Sequence, residues 1–213
     1  MVKGIRVLFT RYTMVSAHLS IIPEFLQKIG LLGYNDNVFY VNKAEVINTQ
    51  SKSDILFRGI KTSAGNQTAS LKSLQGISCW VLDEAEELID ENTFDTIDLS
   101  IREKNIQNRV ILILNPVTKE HWIYNRFFES KGVEGGFNGV KDNVCYIHST
   151  YLDNIENLSQ SFLERIKTIK HNNFKKYSHK ILGGWLDKAE GVVFENWSIG
   201  EFNPDGLQTS CGM

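Results

Sequence analysis

The stretch Cys79-Trp80-Val81-Leu82-Asp83-Glu84 decides the fold: four apolar residues run straight into two acids. A continuous apolar run of this length, without alternation, predicts a strand buried on both faces. Such strands belong to mostly parallel sheets covered by helices, and in those sheets ligands bind beyond the carboxyl ends of the strands. Asp83 and Glu84 are thereby expected at the edge where chemistry is done.

Working outward, the same pattern repeats on both sides. Ile5 to Phe9 is a β-branched, apolar strand. From Ser16, Leu19, Ile22, Phe25, Leu26 and Ile29 recur at helical spacing up to Gly30, a residue suited to a helix end. Val38 to Val41, Ala44 to Asn48 and Asp54 to Phe57 are short β-prone runs split by polar turns, which predicts an antiparallel excursion or edge hairpin. Lys61 to Ser70 is small and polar and reads as a surface loop, and residues 85–104 are helix-prone. Arg109 to Leu114 (RVILIL) is the most apolar strand of the chain and ends on Asn115-Pro116. Lys119 to Ser130 carries Trp122, Ile123, Phe127 and Phe128 at helical spacing. A glycine loop, Gly132 to Gly139, precedes a strand at Val144 to Ser149. Helical segments at Ser159 to Lys170 and Asn172 to Leu182 follow, until Gly183-Gly184 breaks the pattern. Strands alternating with helices predict an α/β fold.

Composition bounds the function. The chain has 213 residues, with 23 Lys and Arg against 25 Asp and Glu, which excludes a globally basic nucleic-acid coat but leaves room for a local basic strip. Its 3 cysteines, Cys79, Cys145 and Cys211, form no CxxC pair, so neither a zinc site nor a disulfide framework is indicated. No apolar run approaches the roughly 18 residues of a spanning helix, and no secretory leader is recognisable at the start.

The acids have a specific chemical reading. An apolar strand ending in Asp-Glu is the pattern of a Walker B element: a hard Mg²⁺ wants oxygen ligands, which Asp83 would supply directly or through water, while Glu84 would polarise an attacking water. The competing reading makes DEAEE only an acidic first turn that favours the following helix. Asn115, at the tip of the next apolar strand and one crossover later, fits a contact to the γ-phosphate or its water; alone, Asn-Pro is a turn initiator. A phosphate-binding loop, G-x-x-x-x-G-K-[ST], is absent from the sequence. The nearest approach, Gly135 to Asp142, has Val140 where glycine is required and follows a helix, so it is rejected.

Taken in order, ILFRGIK, SLKSLQG, CWVLDEAEEL, LSIR, ILILNP with HWIYNRFF, and then GGW and GVVFENW resemble the ATPase domain of large terminase subunits from tailed phages. The resemblance implies a P-loop NTPase core of the additional-strand, RecA-like type, built as a mostly parallel sheet flanked by helices and incomplete at its N-terminus. It implies a motor that uses ATP and Mg²⁺ to package double-stranded viral DNA into a procapsid in the cytoplasm of the bacterial host. Portal protein, the small terminase subunit and a homo-oligomeric ring are the implied partners, with no membrane. By motif, Asp83 resembles the Mg²⁺-binding acid, Glu84 the catalytic glutamate and Asn115 the coupling residue. Lys72 falls where the family presents a basic finger to a neighbouring subunit, and Arg102 is a second candidate for charge stabilisation. The expected organisation is a partial ATPase domain over 1–188, with a helical segment at 151–184, and a linker over 189–213 toward a nuclease domain. The chain alone is expected to hydrolyse ATP negligibly. Two rivals stand beside this: a helicase-like DExx ATPase, which needs a second lobe, and a non-catalytic DNA-binding or assembly module.

Weaker features read mainly as structure. The strip Lys167, Lys170, His171, Lys175, Lys176, His179 and Lys180 could follow a DNA backbone, but a solvated helix face accounts for it better. Trp122, Tyr124, Phe127 and Phe128 fit core packing over a stacking platform. The five histidines have no ligand spacing, and Cys79 fits packing.

Overall fold

In the computed structural model, residues 4–13, 21–34, 38–42, 44–62, 65–66, 71 and 74–187 are described. Asp83 and Glu84 emerge at the carboxyl end of strand β6 (Ile77–Asp83), which is buried at almost every position. On one side β6 pairs in parallel with β1 (Arg6–Thr13), and on the other with β7 (Arg109–Ile113). β1 continues in parallel to β4 (Asp54–Thr62). An antiparallel edge follows, formed by β2 (Phe39–Val41) and β3 (Glu45–Asn48), while β5 (Gly65–Asn66) folds back onto β4. Among the described residues the sheet has 7 strands in the order β2-β3-β4-β1-β6-β7, with β5 off that path. The mixed α/β architecture with a mostly parallel centre and the antiparallel excursion are as the sequence predicts.

Each face of the sheet carries its own core. Leu8, Leu56, Trp80 and Leu82 point to one face and pack with Phe94, Ile97, Trp122 and Ile123. Those last residues come from helix α2 (Glu91–Asp98) and helix α3 (Trp122–Phe127). Phe94 is the hub, with its ring centroid 5.2 Å from Trp80 and 4.8 Å from Trp122. On the opposite face, helix α1 (Ile22–Leu31) lays Ile22 and Phe25 against Phe9, Val46 and Phe57. Pro23 sits in the first turn of α1, where its missing N–H costs nothing. The earlier part of that expected helix, from Ser16 through Ser20, lies outside the described residues.

Several local expectations are corrected. Residues 85–104 do not form one helix: a 3₁₀ turn at Ala85–Glu87 is followed by α2, because Asp90 breaks the run and caps α2 by accepting from Asn92 N and Thr93 N. β4 runs on to Thr62 and pairs with β5 inside the segment expected to be loop. Val144 to Ser149 shortens to β9 (Val144–Tyr146), which pairs with β8 (Gly139–Lys141) as a hairpin apart from the main sheet. The helical stretch after α4 (Gln160–Asn172) breaks at Asn173, whose side chain accepts from Lys176 N and starts a new turn, α5 (Phe174–Lys176). A π-helical turn, Tyr177–Ile181, follows.

The most apolar strand is also not fully buried. Among the described residues β7 ends the sheet, and on the face opposite Trp80 its Ile111 and Ile113 are 43% and 48% exposed. Apolarity therefore predicted the strand correctly and its environment only by half.

Candidate active site

The site is built on the register between β1 and β6. Thr10 lies beside Leu82, so one residue further along Arg11 stands beside Asp83 on the same face. A buried hydrogen bond pins this register: Trp80 Nε1 donates to Thr10 Oγ1 at 2.8 Å, and Thr10 Oγ1 donates to the Val81 carbonyl at 3.3 Å. Both Thr10 and Trp80 are wholly buried.

Beyond Asp83 the chain turns sharply. Glu84 adopts a left-handed conformation at φ 53° and ψ 49°, which is uncommon for a residue with a Cβ. In a continued strand its side chain would point away from Asp83; the left-handed turn lets both carboxylates reach one guanidinium. Arg11 Nε contacts Asp83 Oδ2 at 2.7 Å and Arg11 Nη2 contacts Glu84 Oε1 at 3.0 Å. Arg11 and Asp83 are largely buried, with side chains 15% and 17% exposed, so this ion-pair triad is shielded more than a surface bridge. Arg11 was missed in the sequence because only the register of two strands distant in sequence reveals it.

The turn Ala85–Glu87 links these acids to the next strand. Asn115, just past β7, donates from Nδ2 to Glu86 Oε1 at 3.2 Å. His121 holds the same turn from the other side. Its Nδ1 accepts from Ile123 N at 3.3 Å, capping α3, which leaves Nε2 to donate to the Glu86 carbonyl at 3.2 Å. Burial holds the His121 imidazole below its ordinary value of 6.5 and so keeps it neutral in this role. Among the described residues, Glu86 Oε2 is buried without a hydrogen-bond partner. Glu87 is pushed above the ordinary carboxylate value by burial first, and then by the charges of Glu84 and Glu86.

The structure brings Asp83, Glu84 and Asn115 to one end of the sheet. Arg102 is not among them: it is exposed, and its neighbour Glu103 lies near Gly76, at the start of β6. Its chain neighbour thus lies by the amino end of β6, the end opposite Asp83. Lys72 lies outside the described residues. The GGW motif braces the segment after Asn115. Lys119 N donates to the Leu186 carbonyl at 2.8 Å, Leu186 N donates to the Val117 carbonyl at 2.9 Å, and Trp185 packs on Tyr124 and Phe128.

The donor set suits Mg²⁺. Among the described residues no group of three His, Cys, Asp or Glu could cage a metal. Mg²⁺ needs no cage, since it keeps several waters and takes one or two carboxylates together with substrate phosphates. Asp83 and Glu84 offer only oxygen. The phosphate group is a different matter, because no phosphate-binding loop of the glycine-lysine type occurs in the sequence.

Of the weaker features, Trp122 and Phe127 pack in the core, and burial pushes the Cys79 thiol up, consistent with packing. His179 leaves the basic strip: it is buried, with Nδ1 2.8 Å from the Gly184 carbonyl oxygen. Lys167, Lys175, Lys176 and Lys180 are exposed. No helix among the described residues is long and apolar enough to cross a membrane.

Comparison with known proteins identifies the family. Residues 3–184 match the family model described as phage terminase large subunit. Among solved structures, the large terminase of a thermophilic bacteriophage aligns with a TM-score of 0.64 at 16% identity, covering 86% of this chain and 41% of that one. The same thermophilic-phage protein in complex with ADP aligns at a TM-score of 0.62 and 15% identity, with the same coverage. The large terminase ATPase domain of Thermus phage P74-26 gives 0.56 at 14% identity, covering 86% of this chain and 78% of that domain. The chain thus spans about two fifths of the length of the first of these terminases, and at these identities the likeness concerns the fold. No curated protein matches it.

Proposed function

The chain belongs to the phage terminase large subunit family, and we propose that it forms the hydrolytic face of an ATPase motor that packages double-stranded viral DNA in the host cell. The observation that carries this is the assembly of Asp83, Glu84 and Asn115 at the carboxyl end of a mostly parallel sheet, with the acids held by Arg11 and Asn115 tied to Glu86. Neither the helicase-like reading nor the non-catalytic one is favoured by the family match.

Each side chain has a distinct task. Asp83, at the tip of a rigid strand, would hold Mg²⁺ directly or through water, and the ion would supply charge neutralisation on the nucleotide phosphates. Glu84, more exposed and turned out of the strand by its left-handed backbone, keeps Oε2 outside its ion pair with Arg11 and is the group to accept a proton from an attacking water. Asn115 bonds Glu86, two residues past Glu84, so a change at the acids reaches the segment that leads through His121 into α3. That route is the proposed coupling between hydrolysis and movement. Lys72 is proposed to act on a neighbouring subunit's nucleotide, and Arg102, exposed beside a residue that lies near the amino end of β6, is a second candidate for charge stabilisation. Portal protein, the small subunit and a homo-oligomeric ring are proposed as partners on the same footing. The phosphate cradle is not supplied by this sequence, so the chain alone is expected to turn over ATP negligibly.

The test joins the chain to a strand and phosphate-binding loop at its N-terminus and measures Mg²⁺-dependent ATP hydrolysis with and without duplex DNA. Glu84→Gln is expected to lower turnover by about 10²-fold or more, and Asp83→Asn to abolish the Mg²⁺-supported turnover. Turnover that survives both substitutions would refute the assignment.

A further inference from the structure

The assignment of Asp83 as the Mg²⁺ acid leaves one residue of the site without a task. Arg11 spans both carboxylates with a single guanidinium, Nε to Asp83 Oδ2 at 2.7 Å and Nη2 to Glu84 Oε1 at 3.0 Å. No other cation makes an ion pair with either acid among the described residues. The backbone of Arg11 is immobilised, since the preceding Thr10 is buried and bonded to Trp80, but its side chain reaches the acids through a flexible stem.

The arrangement differs from an ordinary structural pair on the same strand. Arg6, at the other end of β1, bonds one carboxylate, Asp54, with both oxygens engaged at 2.9 and 3.0 Å. Arg11 instead divides its donors between two acids and leaves an oxygen of each outside the ion pair. Adjacent carboxylates held this close repel each other unless a cation stands between them. A cation that neutralises them also opposes the arrival of another.

We propose that Arg11 is a resident counter-ion, a positioning residue that keeps Asp83 and Glu84 oriented while no metal is bound and competes with the divalent cation for Asp83. The proposal rests on the reading of Asp83 as the metal acid and adds that metal entry requires Arg11 to give way. Without the arginine the two acids would bind a divalent ion more tightly but would be poorly aimed before it arrives.

The experiment is a Mn²⁺ titration of the 213-residue chain followed by electron paramagnetic resonance, with no nucleotide present. Wild type, Arg11→Gln and Arg11→Lys are compared, each with and without Asp83→Asn. Competition by a unit charge at contact distance, trimmed by the exposure of Glu84, sets the expected gain for Arg11→Gln at about tenfold in Mn²⁺ affinity. Arg11→Lys is expected to gain about two- to threefold, because one compact ammonium cannot span both acids. Asp83→Asn should erase both gains.

A second readout is the thermal midpoint, which Mn²⁺ should raise more in Arg11→Gln than in wild type. If binding depends on Asp83 but Arg11→Gln leaves it unchanged or weaker, the counter-ion proposal falls and the metal acid stands. If Asp83→Asn alters binding in no background, the metal reading falls and takes the proposal with it. Should Arg11→Gln fail to fold, Arg11→Lys decides, and an affinity equal to wild type overturns the proposal.

Discussion

Replacing Thr10 by Val tests whether the buried Thr10–Trp80 bond holds the site in register. Valine nearly matches threonine in shape but offers no acceptor, so the Trp80 indole N–H loses its 2.8 Å partner. Thr10 and Trp80 are both 0% exposed, so water cannot take its place. A buried donor stranded in this way costs about 1–3 kcal/mol. With a urea m-value of about 2 kcal/mol/M, the unfolding midpoint should fall by roughly 0.5–1.5 M, with the slope unchanged. Urea unfolding followed by far-UV circular dichroism measures this without interference from tryptophan emission. Thr10→Ser keeps the oxygen and loses one methyl, so it should cost less, about 1 kcal/mol. In a double-mutant cycle with Trp80→Phe, the two losses should be less than additive, because the second substitution removes the stranded donor. A Thr10→Val protein within about 0.5 kcal/mol of wild type, or a cycle that adds simply, would show that the bond does not hold the strands together.

Two further outcomes are expected. Phe94→Ala removes the ring that joins Trp80 to Trp122 and should cost about 3–5 kcal/mol in the same urea assay, whereas Phe174→Ala, at a side chain 66% exposed, should change stability by less than about 0.5 kcal/mol. His121 is held below 6.5 by burial, so as pH falls the unfolded chain takes up the proton first. The stability present above 6.5 is then lost as pH drops through the folded-state value; His121→Asn, which can cap α3 without titrating, should show a shallower decline when urea midpoints are compared from about pH 7.5 to 5.5.

How much was legible beforehand follows from what kind of information each feature needs. β6 and its terminal acids were readable because an apolar run and its charged end are both local. The antiparallel edge was readable for the same reason, since Val38 to Phe57 alternates short runs with turns. The helix over residues 85–104 was misjudged because its composition is helical while Asp90 finds a better use as a cap for α2. The burial of β7 was overestimated because apolarity reports what a strand tolerates, and its position at the end of the sheet is decided by pairing. Arg11 was invisible for a different reason: nothing in GIRVLFTR distinguishes it from Arg6 until the register sets one beside Asp54 and the other beside Asp83. Asn115 was found from its place after an apolar strand, yet its partner Glu86 emerged only from the turn that Glu84 initiates.

The open side of β7 has a colloidal consequence. Its outer row of amides and carbonyls has no partner strand among the described residues, and alternate isoleucines on one face are exposed to water. A strand of this kind is a template for any other extended segment, and its one charged residue, Arg109, stands at the beginning. Handled at high concentration, the chain should self-associate through this edge before it unfolds, and a lysine at Ile111 or Ile113 is the substitution best placed to keep it monodisperse.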